Sequence, residues 1–95
     1  MRKTYPLIDQ PHAPARLVER IRSDVRKYLK RERNKPLPEG SDYWDFLCQS
    51  GQTSETAKPV QLKELNRSLD QALEHHWSSL YVEVIRTPKS RTSRP

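Results

Sequence analysis

Lys30, Arg31, Arg33 and Lys35 fall within one six-residue stretch. Clustered ammonium and guanidinium groups hold phosphate or carboxylate oxygens through charge-assisted hydrogen bonds. Arg2 and Lys3 stand at the chain start, and Arg86, Lys89, Arg91 and Arg94 near its end. The charge is segregated: residues 1–35 carry eleven Lys/Arg against four acids, residues 36–85 three against eight, and residues 86–95 four against none. A net charge of +6 gathered in this way recruits a polyanion, or an acidic protein face, more strongly than the same charge spread evenly.

Other chemistries find no constellation. His75 and His76 are adjacent, so on a helix they point about 100° apart and cannot share a metal as i, i+4 ligands would. One of them is expected to pack beside Trp77. Cys48 has no histidine next to it and reads as a buried, inert thiol. Asp42 and Asp45 bracket Trp44 but point to opposite faces of one strand, a poor acid/base pair. With only two glycines, Gly40 and Gly51, there is no Gly-rich phosphate loop. The expectation is a binding protein rather than an enzyme, with no metal and no cofactor.

Ninety-five residues make one domain at most, and with 32% charged against 33% hydrophobic residues its core must be small. Aromatics flanked by aliphatics (Tyr28-Leu29, Trp44 to Leu47, Leu80 to Val82) argue for a folded centre all the same. The single cysteine excludes an intrachain disulfide and fits a reducing, cytoplasmic home. The basic start is followed by no apolar run, so neither a signal peptide nor a membrane span is expected.

The elements that must position the cations alternate in type. Arg2–Leu7 reads as a short strand. Leu17, Val18, Ile21, Val25, Tyr28 and Leu29 recur at the helical period and predict a first helix that opens at Pro14 and stops near Asn34, before Pro36. Its last turn holds Lys30, Arg31 and Arg33, where cations suit the negative end of the helix dipole. Tyr43–Ser50 reads as a strand with Trp44, Phe46 and Cys48 on one face and Tyr43, Asp45, Leu47 and Gln49 on the other. Lys58–Leu62 is a weaker strand candidate. A second helix starts near Leu62 with the stripe Leu62, Leu65, Leu69, Ala72, Leu73 and His76. Leu80–Arg86 closes the fold as a strand. Residues 87–95 contain no apolar residue and are expected to form a disordered basic tail after a single domain spanning residues 1–86.

The order β-α-β-β-α-β matches an α+β, ferredoxin-like split βαβ plan, an antiparallel sheet with two helices on one face. That plan puts Pro6 and Pro59 in central strands, which counts against it. The alternative is a three-stranded sheet in which Lys58–Leu62 never pairs. With alternating directions, the chain start, the end of the first helix, the start of the second helix and the end of the last strand share one pole. That pole gathers Arg2, Lys3, Lys30, Arg31, Arg33, Lys35, Arg86, Lys89, Arg91 and Arg94.

The run Lys-Tyr-Leu-Lys-Arg-Glu-Arg from Lys27, followed by Leu-Pro-Glu-Gly-x-Asp-x-Trp-Asp-Phe ending at Phe46, resembles a family of small uncharacterised bacterial proteins. The start Met-Arg-Lys-Thr-Tyr-Pro-Leu and the segment Tyr-Val-Glu-Val-Ile from Tyr81 are similar to it too. The resemblance implies a bacterial, cytosolic protein and carries no catalytic residue with it.

The expected function is a small basic module that binds RNA or a ribonucleoprotein through its pole, since no helix-turn-helix or zinc-finger pattern points to duplex DNA. Tyr5, Tyr43 and Tyr81 lie on strands where a base could stack, but the basic-Gly-aromatic run of RNA-recognition domains is absent. The alternative is a protein-interaction adaptor, docking an acidic partner or a second copy of itself, with no membrane role.

Overall fold

The computed structural model describes residues 1–91. Seven elements follow in order: β1 (Arg2–Pro6), α1 (Pro14–Arg33), β2 (Tyr43–Gly51), β3 (Lys58–Val60), α2 (Leu62–Leu69), α3 (Gln71–Glu74) and β4 (Ser79–Lys89). The expected α+β class and antiparallel four-stranded sheet are present, and Lys58–Val60 does pair, with Ser50 to Cys48 of β2.

The ferredoxin-like order is not. The strands run β1-β4-β2-β3, so β2 and β4 are central, whereas the ferredoxin-like plan centres the first and third strands. Proline gives the physical reason. Pro6 lies in β1 and Pro59 in β3, and both of these are edge strands, where a missing N–H breaks no second ladder. The two long strands, free of proline until Pro88, form the centre and pair over nine positions from Tyr43↔Lys89 to Gly51↔Tyr81.

One sheet face carries the core. Phe46 and Cys48 from β2 and Leu80, Val82 and Val84 from β4 are buried with Val18, Ile21 and Val25 of α1 and Leu65, Leu69 and Ala72 of the later helices. The apolar stripe of α1 is therefore the stripe read from the sequence. It continues one step further than expected: Glu32, seven residues beyond Val25, is also buried. Ser50 Oγ donates to Ser68 Oγ at 2.9 Å, and Ser68 Oγ to the Leu65 carbonyl at 2.7 Å, which satisfies the buried hydroxyls between sheet and α2. Tyr43, Asp45, Leu47 and Gln49 line the other, open face.

The second helix is shorter than its stripe implied. It divides at Asp70 into α2 and α3, and His76 is exposed with φ 53°, outside the helix rather than in its stripe. Asp70 is bound by Arg22 of α1, which also binds Glu19, so one guanidinium ties the helices together. His75 stacks on Trp77 with ring centroids 6.1 Å apart, the packing expected of one histidine of the pair.

β2 and β4 outrun their neighbours. β1 covers β4 only from Ser79 to Glu83, and β3 covers β2 only from Cys48 to Ser50. Tyr43–Leu47 with Ile85–Lys89 thus project as a two-stranded ribbon, and the end of α1 lies on it through Trp44 and Phe46. The last strand runs past Arg86 to Lys89, so residues 87 to 89, expected in the tail, are paired strand. The expected tail residues 92–95 lie outside the described residues.

Candidate functional site at the basic pole

The site is built where the last turn of α1 meets the ribbon. The core stripe of α1 points Glu32 at the sheet, while Lys30, Arg31 and Arg33 leave the helix around it. Asn34 ends the helix, its N–H donating to the Arg31 carbonyl and the Lys35 N–H to the Glu32 carbonyl, and the chain then turns so that the Lys35 carbonyl accepts a 2.9 Å hydrogen bond from Trp44 Nε1. Cross-strand pairing sets Arg86 opposite Phe46 and Lys89 opposite Tyr43. Arg91 is fixed beyond the strand end by Asp42, whose carboxylate accepts its backbone N–H at 2.7 Å.

Glu32 is the hub. Its Oε1 lies 3.0 Å from Arg86 Nη1, and its Oε2 lies 2.9 Å from Lys35 Nζ and 3.5 Å from Arg31 Nε. The Lys35 hydrogen bond, helped by the charges of Lys35 and Arg86, holds its carboxyl below the usual carboxylate value against the opposing effect of burial. Glu32 is thus ionised at neutral pH and offsets part of the cluster's charge. Lys30, Arg33, Lys89 and Arg91 have no ion-pair partner among the described residues and are exposed.

Each arginine near the ribbon is also laid on a ring. The guanidinium carbon of Arg86 is 4.7 Å from the Trp44 centroid, that of Arg91 5.4 Å from Tyr43, that of Arg33 5.5 Å from Phe46 and that of Arg31 5.6 Å from Tyr28. A cation over an aromatic face keeps its charge and loses conformational freedom, so it is pre-ordered for a ligand.

Most of the predicted cations come together. Lys30, Arg31, Arg33, Lys35, Arg86, Lys89 and Arg91 are brought to one end of the molecule. Arg2 is not part of that cluster: it sits opposite Glu83 with its Nε 3.6 Å from that carboxylate, three positions down β4 from Arg86. Lys3 lies over the Tyr5 ring at 4.9 Å, likewise back along β1. Arg94 lies outside the described residues. The start of α2 follows edge strand β3, across the sheet from β1, and carries Glu64 in its first turn. Of the candidate stacking tyrosines, Tyr5 is half-buried on the helix side and Tyr81 is buried on the open side, its hydroxyl donating to Glu83 Oε1 at 2.6 Å. Tyr43 is exposed.

Two residues of the site were missed by sequence reasoning. Glu32 had a signal, its place on the core stripe at the spacing of Val25. Asp42 had none, because only strand pairing brings Ser90 and Arg91 to it.

The remaining candidates for chemistry stay apart. No group of three or more His, Cys, Asp or Glu residues that could hold a metal occurs among the described residues. Cys48 is buried, and burial, followed by the nearby Asp45 charge, pushes its thiol up to about 11. No helix among the described residues is long and apolar enough to cross a membrane.

A family model described as "Family of unknown function (DUF6172)" matches residues 1–95. The chain belongs to this family. The expected membership of an uncharacterised family is thereby met, and the match covers the whole sequence. No curated protein and no solved structure matches the chain.

Proposed function

We propose that this protein is a small nucleic-acid-associated module that binds single-stranded RNA, alone or in a ribonucleoprotein, through its basic pole. One observation carries the reading: four arginines from two separate stretches of chain converge at the α1 end and the ribbon, each over an aromatic ring. Phosphates would meet the unpaired cations Lys30, Arg33, Lys89 and Arg91, and Tyr43 offers an exposed ring beside Arg91 for a base. The reading goes with a cytoplasmic, bacterial setting and with no catalytic role.

The test is a titration of wild type and Arg31→Glu/Arg33→Glu against single-stranded RNA at several salt concentrations. The double variant should bind more weakly and show a log–log salt slope shallower by roughly 0.7 for each phosphate it no longer neutralises. Equal affinity and slope would refute the reading.

A second reading, a protein-interaction adaptor or self-associating subunit, has its own observation. Leu47 is 57% exposed on the open sheet face, opposite Ile85, beside a groove of about 480 Å³ that reaches Val60 and Leu62. A concentration-dependent dimer indifferent to nuclease would favour it, and co-purified, nuclease-sensitive material absorbing in the ultraviolet would favour the first.

A further inference from the structure

The solvent face of α1 carries a row of cations that extends beyond the pole. Arg16, Arg20, Lys27 and Lys30 stand at i, i+4, i+11 and i+14 around Ser23. At the helical period these positions share one arc, opposite the buried Val18, Ile21 and Val25. All four are exposed, and none has an ion-pair partner among the described residues.

No acid of the helix forms an ion pair with the row among the described residues. Glu19 is held by Arg22, Glu32 is buried under Arg86 and Lys35, and Asp24 is half-buried in the cleft between α1 and Tyr5. The row is therefore not neutralised by ion pairs of its own among the described residues. Like charges one turn apart destabilise a helix, and Arg16 with Arg20 and Lys27 with Lys30 are such pairs. Anionic groups lying between them remove that cost. From Arg16 to Lys30 the row runs about 21 Å at the helical rise, and it ends where the pole begins. No aromatic residue lies on this arc, so the face can grip phosphates but offers a base nothing to stack on.

We propose that the outer face of α1 is a phosphodiester track that continues the basic pole, so that a nucleic-acid strand held at the pole runs along the helix toward Arg16. The inference rests on the nucleic-acid reading and adds a direction, a minimum length and indifference to base sequence. The occupant follows from charge complementarity: a row of unpaired cations about 21 Å long matches a chain of regularly repeated negative charge, and a single small anion would engage only one end of it.

The probes are fluorescent oligouridylates of about 5 and about 20 nucleotides, which straddle the usual single-strand site sizes. The variants are Arg16→Glu/Arg20→Glu on the track, Arg31→Glu/Arg33→Glu at the pole, and Lys58→Glu/Lys63→Glu as an equal charge change at exposed positions elsewhere. Thermal unfolding checks that each remains folded. The track variant should bind the long probe about tenfold more weakly than the control variant does, with a shallower salt slope, and should match the control on the short probe. The pole variant should lose affinity for both lengths. A track variant that equals the control on the long probe, or that loses affinity equally at both lengths, overturns the track while leaving the pole intact. A pole variant that equals the control at both lengths removes the nucleic-acid reading itself, and the track with it.

Discussion

Glu32 Oε1 and Arg86 Nη1 lie 3.0 Å apart, joining the last turn of α1 to the outer end of β4. The pair sits where an apolar stripe would have placed another Leu or Val. It fixes the helix end against the ribbon and at the same time holds Arg86 over Trp44. A buried carboxylate beneath three cations costs desolvation, and its partners must remain charged to offset it.

Stability should therefore depend on pH through Glu32. Its carboxyl titrates below the ordinary value of 4.5, so the stability it contributes is complete above that value and is lost as pH falls through the lower native one. Glu32→Gln should lower the melting temperature at neutral pH, and the gap to wild type should close on acidification. Melting curves of both proteins across the acid range measure this. A gap that stays constant would show that Glu32 acts only through its shape.

The apolar stripe of α1 should be intolerant of charge. Ile21 is 1% and Val25 3% exposed. A carboxylate at either place costs several kcal/mol, comparable with a whole-domain stability of about 5–15 kcal/mol. Ile21→Asp or Val25→Asp should prevent folding, whereas Ile21→Val should cost only about 0.5–1.5 kcal/mol. Amide NMR spectra separate the outcomes, since an unfolded chain collapses the dispersion.

The two glycines should respond to alanine for different reasons. A Cβ at Gly51 would stand 2.7 Å from Ala57 Cα, a clash with backbone, so Gly51→Ala forces the β2–β3 connection to move. The expected loss is about 1–3 kcal/mol. Gly40 has open space around it but φ +86°, so Gly40→Ala costs about 1–2 kcal/mol of backbone strain without displacing a neighbour. Urea unfolding gives both values, and amide shifts at Ala57 should change only for Gly51→Ala.

Truncation after Arg86 should destabilise the protein. Thr87, Pro88 and Lys89 pair with Asp45, Trp44 and Tyr43. Three cross-strand pairs at roughly 0.2–1 kcal/mol each put the loss at about 1–3 kcal/mol, a fall of several degrees for a domain of this size.

The Cys48 thiol should be silent in the folded protein. It is buried, and its value near 11 leaves little thiolate at neutral pH. A maleimide or disulfide reagent should react at the rate of unfolding, and fully in denaturant. Fast labelling of the native protein would contradict the burial.

Residue pattern alone sets the local elements. The period of Val18, Ile21, Val25 and Leu29 makes α1 and names its buried face, since only one arc of a helix can be apolar throughout. The alternation from Tyr43 to Cys48 makes β2, and the charge blocks put cations at the helix end and near the chain end. Strand order was decided only by the tertiary structure. The same elements build the ferredoxin-like sheet or this one, and the choice rests on which strands can give up ladder bonds. Pro6 and Pro59 send their strands to the edges and leave β2 and β4 to pair in the centre. That pairing gathers the candidate site, because it sets Arg86 beside α1 and brings Arg91 to Asp42, while it leaves Arg2 with Glu83. It also settles which face of β2 is open: Trp44 and Phe46 go to the helix side and Tyr43 and Leu47 to solvent, because both faces of that strand are apolar enough to be buried and only the packing of α1 chooses between them.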